Sequence, residues 1–154
     1  MTLKVTIHDD GKHFTLNQQL ICPTEYGNIV VPEGFITDFA SIPRFLWSIY
    51  PPTGRYQEAA VIHDWLYICH YSNRSPYFYS LTPNVGEHPS VYKSRRVKLS
   101  KFPFDNRDVC DNMFLHLMEK SGVSFRTRYT LYYAVSLFAG SLWRSGTYDT
   151  SKLV

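Results

Sequence analysis

The stretch RYQEAAVIHDWLYICHY, residues 55–71, decides the reading of the fold. Tyr56, Ala59, Ala60, His63, Tyr67 and His70 recur at helical spacing on one face. Val61, Ile62, Trp65, Ile68 and Cys69 cover the opposite side. A helix that is apolar nearly all round belongs in the middle of a domain rather than on its rim. The spacing therefore predicts a central helix, with the rest of the chain wrapped around it.

Upstream, residues 1–40 read as strands. Leu3, Val5 and Ile7 alternate with polar neighbours, Asp10-Gly11 offers a tight turn, and Phe14 and Leu16 resume the alternation. Leu20 to Cys22 and Asn28 to Val31 are short strands set apart by Pro23 and Gly27. Pro32-Glu33-Gly34 forms another turn before Phe35-Ile36-Thr37. From residue 41 the pattern becomes helical: Ser41 can cap, Pro43 suits a first turn, and Arg44 to Tyr50 forms a short helix halted by Pro51-Pro52.

Downstream, residues 72–104 read as a loop insertion in which Pro76, Pro83, Pro89 and Pro103 block any long element. Only Arg96 to Phe102 shows strand-like alternation there. Residues 105–146 are again helical. Asp105 can cap a helix with Asp108 three residues on, Gly122 ends it after Lys120, and the last helix follows Ser124 and ends near Gly146. Along that last helix Phe125, Tyr129, Tyr132, Tyr133, Leu137 and Gly140 share a face. The expected fold is α+β, a single domain of N-terminal antiparallel strands and hairpins followed by a small core of three main helices.

The composition narrows the function classes. The chain has 154 residues, is 44% hydrophobic and 19% charged, and is therefore a packed domain rather than a disordered chain. The formal charge of +3 is too slight to indicate a nucleic-acid binder, although Lys93, Arg95, Arg96, Lys98 and Lys101 form a basic stretch. Three cysteines, Cys22, Cys69 and Cys110, are an odd count without CxxC spacing, which points to a reducing compartment. No secretory signal or membrane span is legible, so a soluble protein kept in a cytoplasm is expected.

The chemistry is carried by His63-Asp64-Trp65-Leu66-Tyr67. On a helix His63 and Tyr67 share a face, and Asp64 is rotated from them by about 100 degrees. The imidazole can serve as general base for a water, and the carboxylate beside it can ligate a hard metal. Asp111 shares a helix face with Phe114, Leu115 and Met118 and is drawn into the core, where a carboxylate requires partners. An N–H from His63 and the hydroxyl of Tyr67 would supply them, and a carboxylate so placed orients a His. The alternative for the same residues is a satisfied structural pair without turnover. Asp38 lies at a strand-to-helix junction, as a site residue or as a cap, and His70 and His116 are read as structural.

Three segments in order, VPEGFITDFASIPR (residues 31–44), PPTGRYQEAAVIHDWLY (residues 51–67) and Asp111 to Phe114, resemble the domain of unknown function family 1353 of tailed bacteriophages and prophages. The resemblance implies a viral origin and a small α+β domain. More remotely, His63-Asp64-x-x-Tyr67 with Asp111-x-x-Phe114 is similar to the secreted phospholipase A2 pattern. That similarity implies His63 as general base oriented by Asp111, with Tyr67 supporting Asp111 and Asp64 binding Ca2+. The glycine-rich calcium loop and the disulfides of that fold are missing here, and Asp38 is the candidate replacement ligand.

Two functions follow as expectations. One is a phage protein, either a tail or neck component or a host-interacting accessory, whose partners are phage structural proteins or a host protein. It requires a closed, dry His63–Asp111 pair. The other is a small metal-assisted hydrolase acting on an ester or lipid, which requires His63, Asp64 and Asp111 to converge in an open cleft.

Overall fold

The structure is a computed structural model and describes residues 3–24, 27–39, 42–51, 53–71, 78–79 and 106–140. Among the described residues it is α+β, with antiparallel strands in two small sheets and three helices. In the first sheet β1 (Val5–Ile7) pairs with β2 (Phe14–Leu16), which pairs with β5 (Ile36–Thr37). Gly11 turns the β1–β2 connection at φ 62°, a conformation that glycine reaches without steric penalty. The second sheet places β4 (Gly27–Val31) between β3 (Leu20–Thr24) and β6 (Phe78–Tyr79). Apart from β6, the expected insertion lies outside the described residues, as do its basic stretch and Ser41. β6 was not expected. Two residues are too few for a period, and it is a strand because β4 has an edge to offer.

Helix α1 (Gln57–Tyr71) starts two residues later than the spacing predicts. Its central position is as expected: residues 59–64 and 66–69 are buried, and it packs on β4 and on α2 (Arg107–Lys120). The residues around Arg44 correct the expected short helix to one 3-10 turn, Arg44–Leu46, with turns to residue 49. Pro43 precedes this turn rather than sitting in it.

The N-cap of α2 is Asn106, not Asp105, and its side chain accepts the N–H of Asp108. The C-terminus of α2 closes as the sequence suggests. Gly122 at φ 71° donates its N–H to Glu119, and Val123 donates to Met118, which together satisfy two terminal carbonyls. Ser124 caps α3 (Phe125–Phe138) by accepting the N–H of Thr127. This helix ends at Phe138 with Ala139 as its cap, and residues 141–146 lie outside the described residues.

The face that α3 buries is formed by Leu131, Ala134 and Val135, against α2. The aromatic row runs on the outside, where Phe125, Tyr133 and Leu137 are exposed. Neighbouring rings along it touch, with centroids 4.5 Å apart for Phe125–Tyr129 and 6.1 Å for Tyr129–Tyr133. Residues four apart form a row whatever it faces, so periodicity alone did not distinguish core from surface. Much of the aromatic excess of α3 is therefore surface.

A buried network at the helix crossing

His63 and Asp111 meet where α1 and α2 cross. The Nε2 of His63 lies 2.8 Å from Oδ1 of Asp111, and the Tyr67 hydroxyl donates to the same oxygen at 2.6 Å. Both α1 residues reach it because they are one turn apart on one face. The rings of Tyr67 and Phe114 wall the imidazole, with centroids 4.2 and 5.2 Å away. His63 is 1% exposed and Asp111 2%.

Such burial requires charge compensation, and the side chain that supplies it is one the motif did not include. Arg107 sits one turn before Asp111 on α2, with Nε 3.5 Å from Oδ2 of Asp111. It also donates to the Tyr67 hydroxyl at 3.3 Å. Its Nη2 donates to the carbonyls of Val135 and Ser136 at the C-terminus of α3, the negative end of the helix dipole. The guanidinium thus ties three helices together. Its i, i+4 spacing to Asp111 was a legible signal in the sequence.

The protonation states follow from these contacts. Burial pushes the pKa of His63 below its ordinary value, and the hydrogen bond and charge of Asp111 oppose that shift without reversing it. Burial acts to raise that of Asp111, but the hydrogen bonds from His63 and Tyr67 and the charge of Arg107 outweigh it and hold the carboxyl below its ordinary range. Burial, followed by the carboxylate beside it, raises Tyr67 and keeps its proton in place. The crossing therefore holds a neutral imidazole and an ionised carboxylate balanced by a guanidinium. An ionised carboxylate only accepts hydrogen bonds, so the proton of His63 is on Nε2 and Nδ1 is the acceptor nitrogen of the ring.

Asp64 points elsewhere. Its Oδ2 accepts the hydroxyl of Thr37 on β5 at 2.6 Å, and the same threonine oxygen accepts the N–H of Phe39 at 3.0 Å. Phe39 is fully buried against Phe14 and adopts φ 50°, a strained value for a bulky residue, so Asp64 and Thr37 anchor a tightly bent loop. Asp64 is 1% exposed. His63 and Asp64 are thus directed to different neighbours, one to α2 and the other to β5.

Asp38 is half-buried with its carboxylate 4.0 Å from Arg44, and it is the adjacent Thr37 that reaches Asp64. A Ca2+ ion takes about six to eight oxygen ligands. Among the described residues no group of three or more His, Cys, Asp or Glu side chains converges to hold a metal. His116 is exposed on α2, and the side chain of His70 lies outside the description.

The family described as "Protein of unknown function (DUF1353)" matches residues 14–135, which include both helices of the crossing and the anchored loop. The chain belongs to this family. No curated protein and no solved structure matches it. The matched span runs from β2 to the C-terminal part of α3, so the His63–Asp111–Arg107 network lies within the family domain. No helix among the described residues is long and apolar enough to cross a membrane.

Proposed function

We propose that this DUF1353 chain is a bacteriophage or prophage protein that works by binding, as a tail or neck component or a host-interacting accessory protein. In this reading the His63–Asp111 network is an internal brace. The observation that carries the proposal is the burial of His63, Asp64 and Asp111, each at 2% exposure or less. A general base must come within hydrogen-bond reach of the proton that it removes from water or substrate. The two described cavities are lined by other residues than His63, Asp64 and Asp111. The phage setting rests on the three sequence segments that resemble the phage family.

The outer surface supports the same reading. Phe45, Ile49, Phe125, Tyr133 and Leu137 are exposed, and Phe45 meets Phe138 edge to face at 5.5 Å, joining the 3-10 turn to the end of α3. Exposed apolar side chains that gather into a patch mark sites of association.

A hydrolase reading is favoured by one feature, the fixed tautomer of His63. Asp111 holds the proton on Nε2 and leaves Nδ1 basic, as a carboxylate does for a catalytic imidazole. Assays of wild type and His63→Gln with p-nitrophenyl butyrate and with phosphatidylglycerol micelles, with and without CaCl2, separate the two readings. The binding reading predicts the buffer rate for both proteins, and turnover that His63→Gln abolishes would overturn it. Immunoblots of gradient-purified particles against infected-cell lysate then distinguish a virion component from an accessory protein.

A further inference from the structure

Among the described residues β3 is an edge strand, paired only with β4. Residues 25–26 join the two strands, so Thr24↔Gly27 is a hydrogen-bonded pair, and the alternation makes Cys22↔Ile29 and Leu20↔Val31 hydrogen-bonded pairs as well. Ile21 and Pro23 lie between these pairs, and their backbone groups point away from β4. Pro23 fits this arrangement, because an edge-facing nitrogen is the position where a missing N–H costs no ladder bond. The outer edge therefore presents the N–H and C=O of Ile21 and the C=O of Pro23.

A cavity of about 270 Å³ follows this edge. It is lined by Leu20, Ile21, Cys22 and Pro23, and consecutive strand residues point to opposite faces. A cavity touching four in a row runs along the strand edge rather than over one face. Ile62 of α1 and Leu117 of α2 line it as well. It adjoins a second space of about 530 Å³, lined by Arg55 and sharing Glu58 and Lys120 with the first. Two cations and one carboxylate give this rim a net positive charge.

We propose that this edge is a β-augmentation site for an extended, acidic segment of a partner protein. The segment exchanges backbone hydrogen bonds with Ile21, donates to the carbonyl of Pro23, and seats an apolar side chain beside Ile62 and Leu117. Carboxylates flanking that side chain meet Arg55 and Lys120. A single extended acidic chain is favoured over a second copy of this protein because the rim carries Arg55 and Lys120, which a second copy would bring against like charges. The site is separate from His63 and Asp111 and stands whether or not those residues are catalytic.

The test uses fluorescein-labelled synthetic heptapeptides of alternating Glu and Val, their Lys–Val counterparts, and the Glu–Val peptide N-methylated at alternate residues, titrated to 1 mM against the full chain. Anisotropy reads binding, and amide exchange reads protection. The Glu–Val peptide is expected to bind, to protect the Ile21 amide, and to bind about tenfold more weakly once N-methylated. Ile21→Pro removes the edge donor without removing a ladder bond and is expected to abolish binding while preserving the fold. Lys120→Glu is expected to shift the preference toward the Lys–Val peptide. No binding by any peptide, equal binding of the acidic and basic peptides, or binding indifferent to Ile21→Pro would overturn the proposal. Sedimentation showing a dimer that Ile21→Pro dissociates would overturn it in favour of a second copy.

Discussion

Asp111→Ala is the perturbation whose effect the structure specifies most closely. The carboxylate accepts hydrogen bonds from His63 at 2.8 Å and Tyr67 at 2.6 Å, and it faces the Arg107 guanidinium at 3.5 Å. Removing it leaves two buried donors and a cation whose nearby counter-charge is gone. Breaking a buried pair by deleting one partner costs about 3–5 kcal/mol, because the remaining charge is uncompensated. That is a large share of the roughly 5–15 kcal/mol by which a whole domain is stable, and it corresponds to a fall in Tm on the order of 10 °C. Asp111→Asn keeps the shape and an acceptor oxygen but not the charge, and is expected to lose less. Urea unfolding followed by tryptophan fluorescence measures both, through a lower midpoint at unchanged slope. A loss below about 1 kcal/mol for Asp111→Ala, within the range of an exposed ion pair, would refute the argument.

The remaining predictions concern pH, backbone, thiol reactivity and surface. The pKa of His63 is depressed in the folded state, so below its ordinary value of 6.5 the unfolded chain binds a proton that the folded chain does not. Stability is expected to fall as pH drops below 6.5, by at most about 1.4 kcal/mol per pH unit, and His63→Gln should flatten that slope in urea titrations at several pH values. The depressed carboxyl of Asp111 adds its own loss only below 3.8, where the unfolded chain takes up a proton that the folded chain does not. Gly122→Ala places a Cβ 3.8 Å from the nearest atom, so its cost is the left-handed backbone alone, about 1 kcal/mol by denaturation. Burial pushes the Cys22 thiol up to about 11, and alkylation by iodoacetamide at neutral pH is expected to be negligible until the chain is unfolded in urea. Leu137→Ser, at a position 76% exposed, should change the unfolding free energy by no more than about 0.5 kcal/mol.

What was legible in the sequence follows from where local rules are sufficient. Asp10-Gly11 and the Lys120–Ser124 segment are set by turn and cap chemistry, which acts over a few residues, and both are found as expected. The burial of Asp111 followed from the apolar residues on its helix face, and its meeting with His63 and Tyr67 from the need to satisfy a buried carboxylate. Arg107 was passed over because an arginine in a first turn reads as solvated. Its role depends on where the C-terminus of α3 arrives, which is a tertiary fact. The neighbour of Asp64 is a tertiary fact of the same kind. Strand alternation turns Thr37 inward to meet Asp64 and leaves Asp38 beside Arg44.

The central claim is that His63 is a neutral, sequestered imidazole locked by an ionised Asp111. A 15N NMR titration of the histidine ring tests it most directly. The expected result is a ring protonated at Nε2, neutral at pH 7 and titrating below the ordinary 6.5, with a slowly exchanging ring proton that Asp111→Asn shifts. An imidazole that titrates near pH 7 and exchanges its ring proton rapidly with solvent would contradict it and return His63 to the role of a general base.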